Sequence, residues 1–314
     1  MAPLEIRSLT KWYGRARGVE DISFAIEGGE IFGYLGPNGS GKTTTIRCIM
    51  GLLRPSRGTV HVLGQRVVPG RATQHAHIGY LPGEFRIWGR LKARRSLGLL
   101  AALGGDRTDV RRRELAARLE LNLDRPVGDL SKGNRQKVAV LYALQHRPSV
   151  LILDEPTAGL DPLMRQVVLD LIREAAAAGA AVLLSSHDLS EVSAVCGRAA
   201  ILREGCLVEM APIAQIVQQG EHRLKVWFLD GTLQPEVPRE RLAGVRVVER
   251  QPGMLHLAYA GTPDAILKWV AQFPVDRIAT PQTSLEEAFM QYYRQPPRAS
   301  TKAGVGDVPK GVRP

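Results

Sequence analysis

The chain is 314 residues long, 44% apolar, and carries a net charge of +11. That length leaves room for one large domain and a small one, and the apolar share gives a globular protein with a sizeable core. Cys48, Cys196 and Cys206 lie in apolar segments without C-x-x-C spacing, which fits a reduced cytosolic protein. Lys11 and Trp12 interrupt any early apolar run, so no signal peptide is expected, and the longest apolar stretch, 175–184, is too short to cross a bilayer.

In chain order, residues 4–30 alternate apolar and polar (Leu4, Ile6, then Ile22, Phe24, Ile26), as short antiparallel strands do, and Gly28-Gly29 turns the chain tightly. The run 31–35 predicts a buried strand, and 44–50 a helix ended by Gly51. Further strands are expected at 59–63 and 78–81. Residues 84–147 are mostly helical in pattern, with basic residues on their polar faces. The continuous apolar run 150–153 suits a central parallel strand, and 180–184 a second. This alternation predicts an α/β fold with a parallel core.

Around Gln219 and Gly220 the pattern changes. Leu224, Val226 and Phe228 alternate, as do Val245 and Val247, and then Leu255, Leu257 and Tyr259. Ile266, Trp269, Val270 and Phe273 follow helical spacing. Ser284-Leu285-Glu286-Glu287 is a capping box that opens a last helix, with Leu285, Ala288, Phe289 and Tyr292 on one face. A small α+β domain is expected at 221–294, and a disordered tail at 295–314.

The chemistry begins at Gly36-Pro37-Asn38-Gly39-Ser40-Gly41-Lys42-Thr43, followed by Thr44, which fits G-x-x-x-x-G-K-[ST] between a strand and a helix. The glycines let backbone N–H groups approach a polyphosphate, and the helix N-terminus adds partial positive charge. Lys42 is in place for the terminal phosphates, and the Thr43 hydroxyl for Mg²⁺. The strand 150–153 ends in Asp154 and Glu155. In a phosphate-loop protein the first carboxylate holds Mg²⁺ through water, and the second polarises the attacking water. Leu130-Ser131-Lys132-Gly133-Asn134 is a serine–glycine element at a helix start; Ser131 suits a terminal phosphate and also an ordinary N-cap.

The order of glycine loop, LSKGN, LILDEPTAGLD and Ser185-Ser186-His187 resembles the ATP-binding subunits of ABC transporters, over residues 4–218. The resemblance implies a phosphate-loop ATPase core with an antiparallel β subdomain and a helical subdomain at about 84–147. It implies ATP and Mg²⁺ as cofactors, and a head-to-tail homodimer with two ATP molecules between subunits. Ser131 and Gly133 of one subunit would then meet the γ-phosphate held by Lys42 of the other. Asp161 would lie at the dimer seam, and His187 would contact the γ-phosphate. Tyr13, or Trp12 instead, would stack on adenine. Two departures stand out. Gly83 occupies the place of a glutamine that usually contacts Mg²⁺ and the permease; either Glu84 substitutes for it as a metal contact, the favoured reading, or that contact is missing. The signature reads LSKGN in place of LSGGQ, which puts the hydrolysis rate in question.

The closing segment 284–293 resembles the last helix of subunits that pair with ABC-2-type permeases, as in drug and antibiotic export. It implies an ATPase that drives export through a separate integral-membrane permease, on the cytoplasmic face of the cell membrane. The alternatives are an importer ATPase, or a non-transport ATPase acting on DNA or ribosomes. Between Arg86 and Arg118 there are ten basic residues against three acids, and 295–314 adds four bases against Asp307. No recognition motif accompanies that charge, so a face near anionic lipid is expected and nucleic acid is not.

Overall fold

The computed structural model describes residues 1–70, 72–103, 109–218, 222–238, 240, 242, 244–259, 262–280 and 289. The first elements are β1 (Leu4–Tyr13), β2 (Ala16–Ile26), β3 (Ile31–Leu35), α1 (Lys42–Ile49), β4 (Arg57–Val62), β5 (Gln65–Arg66) and β6 (Ile78–Leu81). Then follow α2 (Ala93–Leu103), α3 (Val110–Arg118), α4 (Lys132–Leu144), β7 (Val150–Asp154), α5 (Pro162–Ala177) and β8 (Ala181–Ser185). The run closes with α6 (Leu189–Val195), β9 (Arg198–Arg203), β10 (Cys206–Pro212) and α7 (Ile213–Gln218).

Two sheets result. One is antiparallel, in the order β2-β1-β4-β5; the other has six strands, in the order β10-β9-β3-β8-β7-β6. In the second, β3 and β6 to β9 run parallel, and β10 returns antiparallel along β9. The central strands are apolar throughout because both of their faces are covered. Val150 and Ile152 of β7, with Ala181 and Leu183 of β8, pack with Phe32 and Tyr34 toward the antiparallel sheet and α1. Leu151, Leu153, Val182 and Leu184 point the other way, into a core filled from the helices. Each large apolar side chain so buried is worth about 2 kcal/mol relative to exposure.

Register decides what the strand ends present. Ser185 of β8 stands level with Tyr34 of β3 on one side and Asp154 of β7 on the other. The loops that follow β3, β7 and β8 therefore leave the sheet side by side at one edge, where parallel sheets place ligands.

Residues 84–92, expected to begin the helical region, are not helical; α2 starts at Ala93, after Lys92 bridges to Pro126. The basic residues of α3 are not an open face either. Arg111 pairs with Glu114, Arg112 and Arg113 with Asp109, and Arg118 with Glu174.

Past residue 221, β11 (His222–Phe228), β12 (Arg246–Gln251), β13 (Met254–Tyr259) and β14 (Val275–Ala279) form an antiparallel sheet in the order β12-β13-β11-β14. With α8 (Asp264–Val270) it holds its own apolar cluster, including Leu224, Val226, Phe228, Leu255, Leu257, Ile266 and Trp269. The capping box at Ser284 and the tail 295–314 lie outside the described residues. Phe289 is helical and packs against the helix-side core of the six-stranded sheet.

Candidate functional site

The glycine loop joins β3 to α1. Gly41 precedes the helix with φ 108°, a left-handed geometry that a residue with a Cβ adopts only under strain. A Cβ on Gly36 would stand 2.3 Å from Ser40 Oγ, so the loop closes tightly on itself. No side chain caps α1, which leaves the N–H groups of its first turn facing outward. Lys42 is buried, and its ammonium donates to the carbonyls of Gly36 and Pro37. Burial pulls its pKa down, while the carboxylates of Glu155 and Asp154 oppose that shift.

A cleft of about 350 Å³ opens over the loop, lined by Tyr13, Arg17, Gly18, Pro37, Asn38, Gly39, Gly41, Lys42, Thr43, Thr44, Asp154 and Glu155. A larger hollow of about 700 Å³ lies along β4, and no motif residue lines it. Of the two candidate aromatics, Tyr13 lines the cleft, with its hydroxyl 3.4 Å from Thr44 Oγ1; Trp12 does not line it.

Asp154 ends β7 and is nearly buried. Glu155 follows in a left-handed conformation, φ 54°. Burial pushes its carboxyl above the ordinary carboxylate range, and a hydrogen bond to His187 opposes that shift. The contact, His187 Nδ1 to Glu155 Oε2, is 2.6 Å. The loops after β7 and β8 thus bring the two together, as their level register requires.

The donor set fits Mg²⁺. Thr43 and Asp154 supply hard oxygen ligands at one wall, and the uncapped N–H groups and Lys42 face the place of a polyphosphate. Among the described residues no three His, Cys, Asp or Glu side chains gather into a metal cluster, so phosphate and water must complete the shell. Glu84, expected to join this set, is not brought in. Its side chain is exposed and paired with Arg86 at 3.0 Å. Gly83 is the residue beside the carboxylate: a Cβ there would stand 3.2 Å from Asp154 Oδ2.

Ser131 and Gly133 do not line the cleft. Ser131 is the N-cap of α4, accepting the N–H of Asn134 at 3.2 Å. Asp161 caps α5, accepting the N–H of Met164 at 2.9 Å, and that bond holds its carboxyl below the ordinary range.

The sequence reading missed two groups. Gln136 donates to the carbonyls of both Glu155 and Pro156. Glu191, a buried residue of the first turn of α6, accepts the Thr157 hydroxyl at 2.6 Å and the Ser186 hydroxyl at 3.1 Å, and lies 3.2 Å from Arg165 Nε. Asp188 and Glu191 stand at the D-x-x-E spacing of a helix start, which was a legible signal; that the glutamate turns inward was not.

A glycine loop at the carboxyl edge of a parallel sheet, with a strand-end carboxylate pair opposite, defines a phosphate-loop nucleotide hydrolase. A family model described as ABC transporter matches residues 19–158. Nod factor export ATP-binding protein I of Burkholderia orbicola is 31% identical over 300 residues, covering 93% of this chain and 97% of that protein. A solved ATP-binding subunit of an ABC transporter is 31% identical with TM-score 0.65, covering 69% of this chain and 93% of that one. The dimeric cassette MJ0796 shares the fold at 22% identity and TM-score 0.62, covering 67% of this chain and 98% of that one. The chain belongs to the ABC transporter family, as an ATP-binding subunit that binds ATP with Mg²⁺ and hydrolyses it. Subunits of this family form dimers and associate with membrane permeases. Among the described residues no helix is long and apolar enough to cross a membrane.

Proposed function

We propose that this chain powers export, as a head-to-tail homodimer on the cytoplasmic face of the cell membrane beneath a separate integral-membrane permease. The alignment to an export ATP-binding protein over 93% of the chain, which runs past the catalytic core into the C-terminal sheet, carries this reading. Residues 1–218 form the catalytic unit, and 221–294 an accessory unit.

In this reading the N–H groups from Asn38 to Thr44 cradle the phosphates, Lys42 neutralises the terminal ones, and Tyr13 stacks on adenine. Thr43 and Asp154 hold Mg²⁺, which supplies charge neutralisation at the phosphates. Glu155 takes the proton of the attacking water, and His187 fixes that carboxylate while facing the γ-phosphate. Ser131 and Gly133 come from the second subunit. The acceptor side of the Ser131 hydroxyl caps α4, and its O–H remains for a phosphate oxygen. Asp161 lies at the seam. Exposed Arg90, Lys92, Arg94 and Arg95 follow the Gly83 loop and face the permease and anionic headgroups.

The test is co-expression with an integral-membrane permease encoded by a neighbouring gene, where the genome supplies one. Retention in washed membranes, with Mg-ATPase activity there that Glu155→Gln removes, supports the reading. A chain that stays soluble in the presence of that permease overturns it.

A further inference from the structure

Glu155 needs help to hold its backbone. A non-glycine residue stays in the left-handed region only where its surroundings fix it. Here the Glu155 N–H donates to Ser185 O at 2.9 Å, and its carbonyl accepts the Gln136 side-chain amide, also at 2.9 Å. The same amide group reaches Pro156 O at 2.9 Å. One anchor therefore comes from β8 and the other from α4.

Gln136 sits one turn into α4, close behind Ser131 and Gly133. That turn meets the same loop a second time: a Cβ on Gly133 would stand 3.0 Å from Gly159 O. The start of α4 and residues 155–159 are thus in direct contact. Yet the Glu155 side chain faces this chain's own cleft, while Ser131 and Gly133 do not line it.

We infer that Gln136 is a positioning residue that links the two nucleotide sites of the dimer, passing contact at the start of α4 to the backbone of Glu155. The inference rests on the head-to-tail arrangement proposed above. In that arrangement, the first turn of α4 answers to the nucleotide in one site while Glu155 works in the other. A short helix turn moves as a unit, so its displacement reaches the Glu155 carbonyl through one hydrogen bond and the adjoining Pro156 carbonyl through another. Misplacing a catalytic group by an ångström costs about 100-fold in rate.

Gln136→Met keeps the length and removes both donors, and Gln136→Glu sets a carboxylate against two carbonyls. For both, kcat should fall about 10- to 100-fold. KM and ATP affinity should stay within about twofold of wild type. The Hill coefficient for ATP should drop toward unity, since the coupling between sites is what is lost. Unchanged kcat and Hill coefficient in Gln136→Met overturn the link. So does a joint loss of thermal stability and ATP affinity in both variants, which would make Gln136 a fold residue. Size-exclusion of Glu155→Gln with Mg-ATP separates the premises. A dimer there with insensitive Gln136 variants refutes the link alone, and a monomer refutes the arrangement and the link together.

Discussion

The glycine loop and the Ser131 turn are both helix starts read as phosphate-facing, and the chain builds them in opposite ways. Behind Gly41 the first turn of α1 has no side-chain cap, and buried Lys42 leans back on the loop carbonyls. At Ser131 the turn caps itself, lies exposed, and lines no part of the cleft. A start left open under its own chain is a receptor already enclosed. A start that is satisfied and exposed can fold alone and still offer one hydroxyl to another surface. In the proposed head-to-tail dimer these two starts would be the half-sites of one nucleotide site, each supplied by a different copy.

The largest effect should come from Glu155→Gln, which removes the proposed base and leaves the phosphate contacts in place. Steady-state Mg-ATPase should fall about 10²- to 10⁴-fold with ATP still bound. Lys42→Ala should lower turnover about 10²- to 10³-fold and, unlike Glu155→Gln, weaken ATP binding as well; near-normal activity there would remove the loop from the chemistry. Ser131→Ala tests the other proposed half-site. It should cost about 1 kcal/mol in a urea melt through the lost cap, and leave ATP binding to the isolated chain unchanged.

A pH series sharpens the first half-site. Glu155 acts as a base only when deprotonated, and burial raises its pKa. The acid limb of kcat should therefore lie above the ordinary glutamate value of 4.5. His187 lowers that pKa, so in His187→Ala the acid limb should move further toward neutrality. An acid limb that stays put in that variant would break the Glu155–His187 pairing. The smallest effect on basal hydrolysis belongs to a region in neither half-site. Replacing Arg90, Lys92, Arg94 and Arg95 with Ser should weaken binding to vesicles rich in phosphatidylserine, by about 1 kcal/mol per charge at low salt. It should leave soluble ATPase unchanged. The loss should be smallest at Arg94, which already pairs with Asp124 at 3.3 Å.

Features of the site set by short stretches of chain were legible before the fold. Residues 31–43 read as strand, loop and helix, Asp154 and Glu155 as a strand end, and Ser131 as a cap, because each depends on a few consecutive residues. What depends on neighbours across the sheet was not legible. No local pattern says that Asp154 and Tyr34 flank Ser185, yet that register brings His187 to Glu155. Gln136 read as one polar residue of a helix, since its acceptors are backbone carbonyls 19 and 20 residues away. Charge was over-read at α3, where the acids that neutralise its arginines include Glu174, on another helix. Glu84 was over-read too, because a carboxylate beside the expected position carries no sign of which way Arg86 will draw it.

The most direct test of two half-sites completed by a second copy is the mass of Glu155→Gln in solution, by size exclusion with light scattering. Without nucleotide it should run as a monomer, and with Mg-ATP as a dimer. Adding Ser131→Arg, which fills the exposed turn with a bulky cation, should return it to a monomer that still binds ATP. A Glu155→Gln chain that binds Mg-ATP and stays monomeric, or a dimer indifferent to Ser131→Arg, would contradict the account.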